Sequence, residues 1–319
     1  MKKTDVTALG ELLIDFTNNG YSEQGNPIFE SNPGGAPCNV LAMLSKLGYS
    51  TAFIGKVGND YFGKQLREAI TEVGIDSTHL LVDEEINTTL ALVHTYEDGD
   101  RDFSFYRNPG ADMMLNKDDV PKELIENSKI FHFGTLSMTH DGVREATKKA
   151  LDIAKAAGVI ISFDPNLRPP LWKSLELAKE QVMYGMQYCD ILKISDNEIQ
   201  WLTGKDDFTE GVNWIRERYD ISLILVSMGR DGSRAYTKDD MIEVDAFIQE
   251  GTIETTGAGD TFFGCVLSYV CKYGLENLNP ELIKEMLTMA NAAASIITTR
   301  KGALKVMPDK AEIDSLLKK

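Results

Sequence analysis

Cysteine is scarce in this chain: Cys38, Cys189, Cys265 and Cys271 are the four present in 319 residues. They form no CxxC pair and join no histidines at zinc-ligand spacing, which speaks against a disulfide scaffold or a zinc site and leaves reduced, buried thiols as the expectation. Long hydrophobic runs are also missing. No stretch reaches about 18 apolar residues, so no membrane span is expected. An N-terminal secretion signal is not expected either, because Asp5, Glu11 and Asp15 interrupt the apolar segment that follows Lys2 and Lys3. A cytoplasmic protein is expected, and the glycosylation-like triplet at 87–89 then carries no meaning. Positive charge is in short supply, with 33 Lys and Arg against 49 Asp and Glu for a formal charge of −16. Most of the surface should repel nucleic acid and anionic membranes, so an anionic ligand would need a local positive site. Linkers, repeats and low-complexity segments are absent. The economical organisation is one large α/β unit over residues 1–319 with an inserted flap.

What is present is an alternation of β-rich and helical segments. "VTALGELLIDF" reads as a strand, "APCNVLAMLSKLG" as a helix stopped by Gly48, "TAFIGKVG" as a strand and "DYFGKQLREAITEVG" as a helix. "KIFHFGTLS", "VIISFDPN", "CDILKIS" and "SLILVSMG" continue the strands, with helical segments between them. Such spacing implies βαβ crossovers and an α/β fold of three layers, α/β/α, around a mostly parallel sheet. Residues 16–32 and 87–108 break the pattern and look like hairpins, with Asn19-Gly20 and Asp98-Gly99 as turn signals. A small β-sheet lid over the strand ends is the expected result.

Two glycine-rich stretches each precede a helix. In "GTIETTGAGDTFFG", Gly257, Ala258 and Gly259 stand against Asp260, and the helix that follows is apolar on nearly all sides. Unpaired amides at the positive end of a buried helix bind anions, although an acid at that place also reads as an ordinary helix cap. In "NPGGAPCNVLAMLSKLG", Gly34 and Gly35 form a turn before a helix whose first turn carries Asn39, a donor and acceptor for hydroxyl groups; a plain capped loop reads equally well. "GNDYFGKQ" nearly matches a phosphate-binding GxxxxGK[ST] loop, but Gln65 replaces the hydroxyl that would bind Mg²⁺.

Taken together, "GGAPCNVLAMLSKLG" and "ETTGAGDTF", at this separation, resemble the two signatures of the ribokinase-like (PfkB) family of carbohydrate kinases. "FIGKVGNDYFG", "VSMGRDG" and "RKGA" extend the resemblance over essentially the whole chain. The resemblance implies that Gly257, Ala258 and Gly259 form an anion hole for the migrating phosphoryl group and that Asp260 is the base for the attacking hydroxyl. Phosphoryl transfer asks for alignment and charge stabilisation above all. It further implies ATP and Mg²⁺, with Glu198 near the metal through water. Ser195 stands where the family's motif has Asn. Ser227, Gly229, Gly232 and Asn291 are implied at the nucleotide. Glu254 replaces the Asp associated with a monovalent cation, which leaves a K⁺ site open.

For the sugar, Asp15 at the end of the first strand, Arg107 from the second lid segment, and Asp164, Asn166 and Arg168 after a core strand are the candidates. "GELLIDF", "FYRNPGAD" and "DPNLRPPLW" resemble the fructokinases within the family. The 2-keto-3-deoxygluconate kinases are the near alternative; they commonly present a tyrosine where Phe105 stands here. Ribokinase is disfavoured by Ala36 in place of a Lys. A sugar-binding homologue without turnover is the non-enzyme alternative, against which Asp260 and the intact glycines speak. The expected partners are a sugar and ATP, with a homodimer formed through the lid.

Overall fold

The computed structural model describes residues 4–95 and 101–318. Numbered along the chain, the strands are β1 (Thr4–Leu9), β2 (Leu13–Tyr21), β3 (Pro27–Gly34), β4 (Thr51–Gly58), β5 (Ile75–Asp83), β6 (Leu90–Thr95), β7 (Arg101–Tyr106), β8 (Ser128–Gly134), β9 (Ile160–Asp164), β10 (Ile191–Ser195), β11 (Leu223–Ser227), β12 (Ser233–Tyr236) and β13 (Met241–Val244). The α-helices are α1 (Ala36–Lys46), α2 (Tyr61–Glu72), α3 (Lys122–Glu126), α4 (Asp141–Ala156), α5 (Leu175–Met186), α6 (Asp196–Thr203), α7 (Phe208–Arg216), α8 (Ala258–Tyr273), α9 (Pro280–Ile297) and α10 (Lys310–Leu317).

Among the described residues, nine strands form the main sheet in the order β13-β12-β11-β10-β9-β8-β1-β4-β5. From β11 to β5 every pairing is parallel, and β12 and β13 add an antiparallel edge. The period of two sends neighbouring side chains to opposite faces, and both faces are covered. On β11, Leu223 and Leu225 join one apolar cluster while Ile224 and Val226 join the other. Helices α1, α8 and α9 supply the first cluster through Leu41, Phe263 and Met286; α4, α5 and α7 supply the second through Val143, Val182 and Val212. This is the expected three-layer α/β fold.

Four further strands make a separate small sheet in the order β3-β2-β6-β7, two antiparallel pairs joined by the parallel β2–β6 contact. Here the structure corrects three expectations. The apolar run 6–16 is two strands in two sheets, because Gly10 N–H still donates to Ile54 O of the main sheet while Ile14 N–H already donates to Thr89 O of the small one. Both halves are apolar, so periodicity alone could not reveal the break. Asp15 is therefore the third residue of a lid strand and not the end of a core strand. Asn19-Gly20 is no turn either: it lies within β2 where the register with β3 shifts, and the reversal comes at Ser22 and Asn26. Asp98-Gly99 lies outside the described residues. The expected alternation also omitted the edge strands β5 and β13, whose half-exposed faces give a mixed pattern, and the mostly buried four-residue β12 beside β13. No helix among the described residues is long and apolar enough to cross a membrane.

Candidate active site

Alternation along two adjacent strands places the first charged pair. Phe163 of β9 and Leu192 and Ile194 of β10 point to the cluster on the α4 side, so Asp164 and Lys193 point to the α8 side. The register matches Leu192 with Phe163, so the next residue on each strand is adjacent in space. Lys193 Nζ lies 2.8 Å from Asp164 Oδ2, with both side chains buried.

Above them sits the start of α8. Gly257 is its N-cap with φ 76°, a left-handed conformation that a side chain would strain. The bland reading of Asp260 as a helix cap is not what the structure shows, since Asp260 is the third helical residue and its Oδ2 accepts a hydrogen bond from Asn39 Nδ2 at 2.8 Å. The Ala258 N–H donates to Thr255 O at 3.2 Å, which removes it from the expected anion hole. The N–H groups of Gly259 and Asp260 follow in a turn that has no intrahelical acceptors for them.

Asn39 comes from the first turn of α1, whose N-cap Gly35 has φ 127° and leaves no room for a Cβ beside the carbonyl oxygen of Glu11. Glu11 in turn accepts a hydrogen bond from Ala36 N–H at 3.0 Å. Gly34 packs on the Asp15 carboxylate.

These residues enclose a cavity of about 400 Å³ lined by Glu11, Asp15, Gly35, Asn39, Phe105, Asn166, Arg168, Lys193, Gly257, Gly259 and Asp260, among others. Burial, the largest influence, raises the Asp260 carboxyl to about 6; Asp164 pushes the same way, and the Asn39 hydrogen bond, Lys193 and Arg168 oppose. Burial likewise raises Glu11 and Asp15 to about 7, with Arg168 opposing at Asp15 and Glu254 and Asp260 reinforcing.

A second cavity of about 600 Å³ is lined by Ser227, Gly229, Gly232, Ala258, Gly259, Phe262 and Asn291, among others. Thr255 and Gly259 line both cavities, so the two meet at the α8 N-terminus.

Of the expected site residues, Gly34, Arg107, Asp164, Ser195, Glu198 and Glu254 line neither cavity. Arg107 is corrected from ligand contact to internal pairing: Asp112 in the same loop holds it at 2.7 Å, and it also donates to Thr139 Oγ1 and Leu136 O. Ser195 and Glu198 cap α6 reciprocally, and the other Glu198 oxygen accepts from Leu167 N–H at 2.7 Å, which ties down the loop bearing Asn166 and Arg168. Glu254 accepts from Gly302 N–H at 2.9 Å. Asn291 reaches the second cavity, but its amide is held by Ser233 and by the carbonyls of Val244 and Asp245. The phosphate-loop look-alike at 58–65 is a capped turn in which Asp60 accepts from Gly63 N–H. Lys193 and Glu11 were missed in the sequence; the available signal was a charge in the interior of each of two apolar strand-like runs, "CDILKIS" and "VTALGELLIDF".

A buried carboxylate beside open helix amides, between two cavities at the C-terminal ends of parallel strands, defines a phosphotransferase that acts on a small hydroxylated molecule. The chain belongs to the pfkB family of carbohydrate kinases, whose model matches residues 3–310. It is 39% identical to fructokinase-1 of Zea mays over 98% of each chain. Its fold is similar to that of fructokinase with bound ATP from Xylella fastidiosa, with TM-score 0.90, 30% identity and coverage of 100% and 99%. It is also similar to the Vibrio cholerae O395 fructokinase in its fructose, ADP and calcium bound form, with TM-score 0.89, 29% identity and coverage of 99% and 100%.

Proposed function

We propose that this kinase is a fructokinase that moves the γ-phosphoryl group of MgATP to a hydroxymethyl oxygen of fructose. The observation that carries the reading is Asp260, buried at the junction of the two cavities and held by Asn39. The hydroxymethyl oxygen attacks the γ-phosphorus, its proton passes to the Asp260 carboxylate, and the bond to the bridging oxygen breaks with its electron pair leaving on ADP. The amides of Gly259 and Asp260 receive charge from the group in flight. Asp15, Asn166 and Arg168 hold the sugar, and Ser227, Gly229 and Gly232 border the nucleotide. The names and ligands of the fructokinase relatives support fructose and ATP.

Magnesium supplies neutralisation of the β- and γ-phosphates when it is bound. Among the described residues no cluster of three acidic, His or Cys side chains could hold a metal ion, which fits a cation carried mostly by phosphates and water. Glu198, with its oxygens engaged, would reach it only through water. Cytoplasmic action and a homodimer through the lid complete the reading.

A coupled ADP-release assay over fructose, ribose, nucleosides and 2-keto-3-deoxygluconate tests it, with the highest kcat/KM expected for fructose. Preference for another substrate would overturn the assignment. Asp260→Asn should lower kcat by about 10²- to 10⁴-fold while fructose still binds.

A further inference from the structure

Lys193 is a buried cation with work left over. Its side chain is 7% exposed and that of Asp164 is 3%. An ammonium carries three donors, and the Asp164 bond occupies one. A Cβ on Gly259 would lie 3.0 Å from Lys193 Nζ, so the ammonium presses against the glycine that lines both cavities. Lys193 itself lines the smaller one beside Asp260. A pair that served only packing would be no better than apolar side chains of the same volume and would have no reason to open into a cavity.

We propose that Lys193 is a catalytic cation that contacts the γ-phosphoryl group during its transfer and that Asp164 is the positioning residue that aims it. The proposal rests on the kinase reading above and adds a second source of positive charge, from the sheet side, opposite the amides of α8. It also follows from charge arithmetic. Before reaction Asp164, Lys193 and Asp260 sum to one negative charge. As the sugar oxygen forms its bond to phosphorus, its proton goes to Asp260, the bridging P–O bond breaks toward ADP, and the three groups become neutral in sum. The attraction of Lys193 for the base then ends at the moment when the phosphoryl oxygens need a cation. Burial works against the charge on Lys193, but Asp164, Glu198 and Asp260 carry its pKa above the ordinary value, so it is an ammonium at neutral pH.

The test compares wild type with Lys193→Met and with the double variant Lys193→Met/Asp164→Asn. Removing the lysine alone strands a buried carboxylate and could unfold the chain; the double variant removes both charges and keeps the test valid. Both variants should lose about 100-fold or more in kcat, with the sugar Kd close to wild type. A role in stability alone predicts that the double variant recovers activity, so a kcat within about tenfold of wild type in that variant overturns the proposal. MgADP with aluminium fluoride, a mimic of the phosphoryl group in flight, reads the same contact without turnover. Wild type should bind it more tightly than MgADP alone, and retention of that gain in both variants would also overturn the proposal. Fructose turnover by wild type tests the sugar assignment; the ratio of variant to wild type, with whichever sugar is turned over, tests Lys193.

Discussion

At the scale of single residues, Asp260 sets both a pH dependence and a stability cost. A base with its pKa raised to about 6 is lost as it gains a proton, so kcat/KM should fall as pH drops through an apparent pKa between about 6 and 7, the upper bound set by Asp15 and Glu11. Lys193 lowers the Asp260 pKa, so in Lys193→Met the residual activity should titrate at higher pH. The sign for stability is opposite to that of a salt-bridged acid. The folded state holds the Asp260 proton more tightly than the unfolded state does, so stability declines as pH rises from about 4 to about 6 and the penalty is full above that window. Asp260→Asn should accordingly raise stability at pH 7.5 by about 1–3 kcal/mol, and the gain should shrink toward pH 4. Denaturant midpoints at the two pH values check this. Asp260 and Asn39 were legible in the sequence because each sits beside a glycine signature. Lys193 and Glu11 were not, since a charge within a strand, as at Lys193, or in a short turn between strands, as at Glu11, acquires meaning only from its neighbours in space.

At the scale of elements, the site is assembled from the starts of two buried helices. Helix α1 brings Asn39 and α8 brings Asp260, and the hydrogen bond between them spans 221 positions of sequence. Both helices begin at glycines in conformations that a side chain resists, and at Gly35 the backbone of the β1–β2 turn also occupies the space. Gly35→Ala should therefore cost about 2 kcal/mol or more of stability and lower kcat/KM, since it must displace Glu11 and the chain leading to Asp15. A melting temperature and activity equal to wild type would contradict that account. Helix starts of this kind were readable from Gly, Pro and apolar periodicity. The division of 6–16 between two sheets was not, because β1 pairs with 51–54 and 128–133 and the parallel partner of β2 lies at 90–93, all outside any local window.

At the scale of the whole molecule, the small sheet leaves β3 and β7 as open edges and exposes Tyr21, Ile28, Phe29 and Tyr106. Unpaired edges with exposed apolar side chains favour pairing with another chain. Light scattering should give twice the 35.4 kDa chain mass, and charged substitutions at Ile28 and Phe29 should shift the molecule toward the monomer. A wild-type monomer at micromolar concentration would remove the lid from that role.

Sequence alone determined the three-layer fold and the two helix starts that frame the candidate site, because periodicity, glycine and proline act within a few residues of their own position. It also bore Asp260, the proposed base, since an acid placed next to the first amides of a helix is a local pattern. Only the tertiary structure decided that Arg107 faces Asp112, that Glu198 braces a loop, and that Asp164 and Lys193 meet beneath α8. Those outcomes depend on strand register and on which charges find each other once water has left, and neither quantity is written in any short stretch of chain.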